Sequence, residues 1–404
     1  MSTSDKPPIH IALIGTRGVP ATYGGFETAV EEVGRRLVGY GHQVTVYGRD
    51  AGDVGNEYLG MRRVTLPAVR KKALETPSHT ALSAVHAAVR GRPDVAFVFN
   101  AANSPFIPLL RAARIPTALN VDGLEWQRSK WGRNGRRYYR ASESFGVRTS
   151  DALIADSPGI SSYYQQQFSA ATELISYGAP QLLSADPDLI SPLELTPAGY
   201  HLVVARFEPE NHVREIVAGY AASTATRPLI VVGSAPYSAE YTREIEEIGA
   251  ADPRIRLVGG VYDQELLDAL YFHAYTYIHG HSVGGTNPSL LRAIGAGTPV
   301  IAFDVSFNRH VLDHRGWYFR DLDDVAAAIR DAEASEGFAA KLGSELRDHA
   351  ARTYTWDGVG RQYEKLAFDL NSGFSRRRDH RRAKRSAAEW NHQANVHPRS
   401  GDRG

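Results

Sequence analysis

YIHGHSVGGTNPSLLRAIGAGTPVIAFDVSFNRHVL, residues 277–312, changes character several times in a short span. It opens as the end of a β-branched and aromatic run, 275–278, which predicts a strand. A turn of small residues follows: Ser282, Val283, Gly284, Gly285, Thr286 and Asn287. Pro288 suits the first turn of a helix, and Asn287 or Thr286 can cap it. Leu290, Leu291 and Ile294 give that helix an apolar face, and Gly295 and Gly297 end it. Residues 298–304 read as a buried strand. The unit is strand, glycine loop, helix, strand. Backbone N–H groups of the loop and the helix dipole converge on one point, which suits an anion such as a diphosphate. A plain βαβ turn, with glycines for tight packing, accounts for the same pattern.

A second unit of this kind lies at the other end of the chain. Residues 9–15 predict a strand and 16–25, TRGVPATYGG, a loop. In the helix that follows, Phe26, Ala29, Val30, Val33 and Leu37 share one face. Glu31 with Arg35, and Glu32 with Arg36, are expected pairs on the outside. Gly39 and Gly41 close the helix, and 43–48 is the next strand. Such βαβ repetition predicts a parallel sheet.

Further strands are expected at 63–66, 95–100, 116–121, 152–155 and 172–177, with helical patterns between most of them. The pattern breaks where Pro180, Pro187, Pro192 and Pro197 cluster. A second series has strands at 201–205, 229–233, 255–258, 275–278, 300–303 and 317–319. Its helices are expected at 211–222, 239–248, 263–272, 288–295, 322–334 and 338–353, with a final one at 356–370. The division is therefore a disordered 1–8, a first α/β domain at 9–180, a linker at 181–198, a second α/β domain at 199–353, a closing helix at 354–371 and a basic disordered tail at 372–404. Two doubly wound domains leave a cleft between strand ends. Ligands of open parallel sheets sit at the carboxyl ends of strands, so both glycine loops are expected to face that cleft and a nucleotide-linked ligand.

Composition narrows the class. At 404 residues with 43% hydrophobic and 23% charged residues, the chain has an ordinary globular make-up. A net charge of +1 gives no global argument for nucleic acid. The absence of cysteine excludes disulfides, thiolate metal sites and a cysteine nucleophile. Neither a signal-peptide core nor a membrane-length apolar run is present, so a cytoplasmic protein is expected. The segment 376–385 carries six Arg, one Lys and one Asp, or +6. That charge suits a solvated tail and equally a peripheral contact with an anionic membrane surface, which Trp390 could assist.

Four stretches carry a resemblance: GTRGVPATYGGFETAVEE (15–32), NVDGLEWQRSKW (120–131), ARFEPEN (205–211), and HSVGGTNPSLL with AIGAGTPVIAFDVSFN. They resemble glycosyltransferase family 4, and within it the rhamnosyltransferase-like subgroup of bacterial cell-surface polysaccharide synthesis. The likeness spans about 9–370. It implies the GT-B fold: two facing Rossmann-like doubly wound domains with an interdomain cleft, and a last helix crossing back to the first domain. It implies a retaining transfer from a nucleoside diphosphate sugar, with no metal or other cofactor, to a glycan or lipid-linked acceptor. Donor binding is implied for Gly24, Gly25, Arg206, Asn211, Ser282, Gly284, Gly285, Thr286, Asn287 and Arg292. Acceptor binding is implied for Asp122, Glu125 and Trp126.

The chain departs from the family at several positions. Asn211 stands where a lysine is common. Gly284 and Arg292 stand where the family has two glutamates, the second of which meets the nucleotide ribose. No protein base stands out; His279 and His281, at a strand end beside the loop, are the candidates, and His79 is a lone histidine of structural type. The strings Asp186-Pro187-Asp188 and Asp321-Leu322-Asp323 fall in the linker and at a helix start, and predict no metal site. Two other readings remain open at this point: a degenerate GT-B protein that binds a nucleotide sugar or a partner, and a nucleotide-sugar epimerase.

Overall fold

A computed structural model describes residues 7–21, 25–49, 55–69, 74–121, 123–234 and 239–377. Gly24, Asp122, Trp390 and most of the basic tail lie outside the described residues. The chain divides into two compact units. Unit 1 holds 1–122, 134–175 and 360–404, and unit 2 holds 123–133 and 176–359.

Unit 1 is a sheet of β1 (His10–Ile14), β2 (Gln43–Gly48), β3 (Glu57–Tyr58), β4 (Met61–Thr65), β5 (Val95–Phe99), β6 (Thr117–Asn120), β7 (Ala152–Ala155) and β8 (Glu173–Leu174). The order is β3-β4-β2-β1-β5-β6-β7-β8, parallel except for β3 against β4. The central strands are continuous apolar runs, Ile11 to Ile14 and Val95 to Phe99, buried on both faces, as a sheet covered by helices on both sides requires. The helices are α1 (Gly25–Gly39), α2 (Glu75–His86), α3 (Ile107–Ala112), α4 (Arg133–Thr149) and α5 (Pro158–Phe168). α1 buries Ala29, Val30, Val33 and Leu37, while Phe26 packs edge-on against Phe99 at 5.9 Å.

Unit 2 is a parallel sheet of β9 (His201–Val204), β10 (Leu229–Val232), β11 (Ile255–Gly259), β12 (Thr276–His279), β13 (Val300–Phe303) and β14 (Trp317–Phe319), in the order β11-β10-β9-β12-β13-β14. Its helices are α6 (Val213–Ala221), α7 (Ala239–Ala251), α8 (Gln264–Phe272), α9 (Pro288–Ala296), α10 (Ser306–Val311), α11 (Leu322–Glu333), α12 (Glu336–Thr353) and the start of α13 (Trp356–Asn371). Val203, Ile216, Tyr220, Val231, Ile278, Ile301, Phe319 and Ile329 form one core. α13 leaves unit 2 after Val359 and continues in unit 1. There Tyr363 accepts a hydrogen bond from Asn120 Nδ2 at 3.2 Å, and Glu364 meets buried His42 at 3.2 Å.

Several expectations need correction. Residues 123–133 belong to unit 2 although their chain neighbours on both sides belong to unit 1. The expected linker is part of unit 2 from Ser176 onward, because Ile190 and Leu195 bury themselves there. Glu31 does not pair with Arg35; it accepts the Ala21 backbone N–H at 2.7 Å, and Glu32 meets both Arg35 and Arg36. β3 and α10 were not expected. Gly295 lies inside α9 rather than ending it, and Gly297 supplies the left-handed cap at φ 79°.

Gly295 has a different cause. A Cβ there would stand 1.9 Å from the Pro180 carbonyl oxygen, so the backbone at Pro180, itself in unit 2, passes directly over α9. Gly295→Ala should lower the unfolding free energy by about 1–3 kcal/mol. Gly39→Ala, where a Cβ meets nothing within 4 Å, should leave it nearly unchanged. Urea titration of both variants checks the pair; equal midpoints would remove the close approach as the reason for glycine.

Candidate functional site

In unit 2 the strand order reverses between β9 and β12: β10 and β11 follow on one side, β13 and β14 on the other. The carboxyl ends of two strands flanking such a reversal open a crevice that loops cannot close. β9 leads into the segment with Arg206, Glu208, Glu210 and Asn211. β12 ends at His279 and leads into the glycine loop. The sheet therefore brings together Arg206, Asn211, His279, His281 and Ser282–Asn287, residues far apart in the chain.

Hydrogen bonds fix these side chains one by one. Asn287 caps α9, its Oδ1 accepting the Ser289 N–H at 2.8 Å. Ser282 donates its N–H and its hydroxyl to the Glu210 carbonyl oxygen, at 2.9 and 3.0 Å. Asn211 Nδ2 donates to the Arg206 carbonyl at 2.8 Å, and its Oδ1 accepts from His281 Nδ1. Gly284 has φ 133°, a conformation that side-chain-bearing residues rarely adopt. A Cβ on Gly123 would lie 2.6 Å from the Gly284 Cα, so backbone meets backbone there.

Both histidines are held from one side of the ring. The Tyr277 hydroxyl lies 3.3 Å from the Val204 carbonyl and 3.1 Å from His279 Nδ1, so it holds the His279 ring from that side. His279 Nε2 is buried and has no hydrogen-bond partner. His281 Nδ1 donates to Asn211, which leaves its Nε2 as an acceptor. Burial lowers His279 to about 3. His281 is lowered well below the ordinary range by burial first, and then by His279, Arg128, Arg206 and His212. Both rings are neutral at pH 7. They can accept a ligand hydroxyl's hydrogen bond, but they are weak bases. Asn308, not singled out from sequence, holds the loop from below by donating to the His281 carbonyl at 2.9 Å.

Arg206 lies 3.4 Å from Glu208 and is 43% exposed, the most open cation of the cluster. Arg292 turns away from the loop and pairs with Asp268 on α8. Burial lowers it to about 10, so it stays charged at neutral pH. Glu125 and Trp126, expected in the first domain, stand in unit 2 with the glycine loop. Burial raises the Glu125 carboxyl, but Arg128 and Lys130 more than offset that and leave it lowered. Glu208, Glu210, Arg128 and Asn308 were inside the quoted motifs but carried no assignment. The alternation of acid and base in 205–211 and 125–130 was the available signal.

In unit 1, Gly25 opens α1, and Gly24 and Asp122 lie outside the described residues. Glu27 and Glu31 hold the preceding loop by accepting the Arg17 and Ala21 N–H groups, at 3.1 and 2.7 Å. His79 is fully buried and donates from Nε2 to the Gly48 carbonyl at 2.8 Å; burial lowers it to about 4. Asp186 and Asp321 act as helix caps, accepting the Asp188 and Asp324 N–H groups at 2.9 and 3.0 Å. Among the described residues no helix is long and apolar enough to cross a membrane. A pocket of 670 Å³ lined by Arg214, Glu244, Ile248 and Asp252 lies on α6 and α7 and includes none of the loop residues.

Residues 200–334 match the family described as glycosyl transferases group 1, and residues 96–180 match a domain of unknown function, DUF1972. The O-antigen chain mannosyltransferase B of Escherichia coli is 27% identical over 170 residues, a match covering 41% of this chain and 44% of that protein. Sucrose-phosphate synthase of Thermosynechococcus elongatus superposes with a TM-score of 0.78 at 21% identity, over 90% of this chain and 99% of that one. The Anabaena HepE protein in complex with UDP-glucose superposes with a TM-score of 0.73 at 14% identity, over 89% and 99%. The fold is GT-B.

The buried histidines make stability depend on pH. An imidazole whose folded pKa lies below its unfolded 6.5 favours the folded state above that pH. The contribution is lost as pH falls toward the folded value. His279 alone should remove roughly 2 kcal/mol between pH 7.5 and 5. Urea titrations at both pH values should show a shallower loss in His279→Gln than in the wild type. An identical loss would place the pH dependence in other groups, such as His79.

Proposed function

We propose that the protein is a glycosyltransferase that moves a hexosyl group, rhamnose or another hexose, from a nucleoside diphosphate sugar to a hydroxyl of a glycan or lipid-linked acceptor, with retention. The observation that carries this reading is the convergence, at the sheet reversal of unit 2, of an exposed arginine, a capped helix start and two neutral imidazoles, of which His279 Nε2 is buried without a hydrogen-bond partner. Arginine and a helix N-terminus suit phosphate oxygens. A buried, unpartnered ring nitrogen suits a sugar hydroxyl, which would satisfy it. The group 1 match spans the same residues, and the UDP-glucose complex of the Anabaena protein puts uridine among the bases to test.

In this mechanism the acceptor hydroxyl attacks the anomeric carbon as the bond to the diphosphate breaks. Negative charge grows on the leaving phosphate. Arg206 and the dipole of α9, whose start Asn287 caps, stabilise that charge. The proton passes to the leaving phosphate itself, which fits two histidines too weakly basic to take it. His279 and His281 position the sugar.

One observation favours a second reading, a degenerate binder. Arg292, where the resemblance implies a ribose-binding glutamate, is held by Asp268. Arg292→Glu alone would set two carboxylates against each other, so the informative variant is Arg292→Glu with Asp268→Asn. Nucleotide affinity appearing only in that double variant would favour degeneracy of the natural chain.

Thermal shift of the full chain against UDP, GDP, dTDP and their common sugars should show one base that stabilises, by ~2.7 kcal/mol at a hundredfold excess over Kd. Arg206→Ala should lose most of that shift. No stabilisation by any of them at millimolar concentration would sink the donor reading.

A further inference from the structure

Residues 123–133 form a strap. The chain leaves unit 1 after Asp122, runs across unit 2 and returns at Asn134. Gly123 sits against Gly284, and Ser129 Oγ donates to Glu210 Oε2 at 2.9 Å. Between these two contacts the strap carries Arg128, whose side chain is 12% exposed and whose Nε meets Glu125.

Arg128 and Arg206 aim at one atom. Glu208 Oε2 lies 3.7 Å from Arg128 Nη1 and 3.4 Å from Arg206 Nη2. Both distances exceed the roughly 2.7–2.9 Å of a charge-assisted hydrogen bond, and Glu208 Oε2 is buried with no hydrogen bond. A single Glu208 oxygen thus stands loosely between two guanidinium groups, one of which, Arg128, is also held by Glu125. Both also act on His281, whose pKa they help to lower. The pair therefore lies within electrostatic reach of the ring beside the glycine loop. Asn211, a neutral amide, adds no cation here; it bonds the Arg206 carbonyl and His281 instead.

We propose that Arg128 and Arg206 together clamp the diphosphate of the ligand, with Glu208 holding the two guanidinium groups ready until the anion arrives. A diphosphate offers several oxygens to the pair where Glu208 offers one. The strap thereby supplies the second cation of the site. The nucleoside and sugar attached to the diphosphate rest on the function proposed above; the clamp itself does not.

Calorimetric titration of the full chain with inorganic pyrophosphate, and in parallel with the nucleoside diphosphates, separates the two. Arg128→Ala should weaken pyrophosphate binding roughly ten-fold, and Arg128→Lys less, since a charged hydrogen bond of this kind is lost or loosened. Ser129→Ala, which removes one strap contact but keeps the charge, should weaken it less than Arg128→Ala does. Circular dichroism confirms that each variant folds. Pyrophosphate binding that ignores Arg128, or that Ser129→Ala weakens as much as Arg128→Ala does, overturns the clamp. Arg128-dependent pyrophosphate binding without affinity for any nucleoside diphosphate keeps the clamp and overturns the sugar-nucleotide reading. No pyrophosphate binding by the wild type overturns the clamp outright.

Discussion

The backbone of Gly123 presses on the backbone of Gly284, and much of unit 2 is arranged around that contact. Gly123 has no room for a Cβ, and Gly284 adopts a conformation that side chains resist. With the strap fixed there, Arg128 and Ser129 fall opposite Glu208 and Glu210. Glu210 in turn receives Ser282 through its carbonyl, which fixes the start of the glycine loop. His281 then hangs between Asn211 and the Asn308 amide. A rigid loop is what a phosphate site needs, because donors already in place lose little entropy when the anion binds.

Electrostatics in this region follow from burial. Low-dielectric surroundings penalise the charged form of His279 and His281, so both stay neutral while arginines stand nearby. The same surroundings strengthen any interaction between those arginines and an anion. A site built this way favours leaving-group stabilisation over proton abstraction. That preference agrees with a reaction in which the departing phosphate carries away its own proton.

Much of the fold was legible because each parallel strand is a short apolar run between turn residues, as at Val300–Phe303, Trp317–Phe319 and Gln43–Gly48. Local signals also gave the Asn287 cap and the closing helix. The destination of residues 123–133 was not legible. They are polar and lack a period, so their place depends on partners far along the chain, Gly284, Glu208 and Glu210. Glu31 misled for the same reason: spacing offered Arg35, while the fold offered the Ala21 N–H. The glycine loop was readable, but the residues that brace it were not, because bracing is a long-range property.

The path of the chain has a practical result for anyone who recombines such proteins. It passes between the units after Asp122, Arg133, Ile175 and Val359, so neither unit is one uninterrupted piece of sequence. A chimera joined only near residue 176 would import the glycine loop of one parent and face it with the strap of the other. Function would then depend on whether two foreign glycines still meet. Exchanges that carry residues 123–133 along with the second half keep that partnership within one lineage, and they are the recombinations this architecture permits.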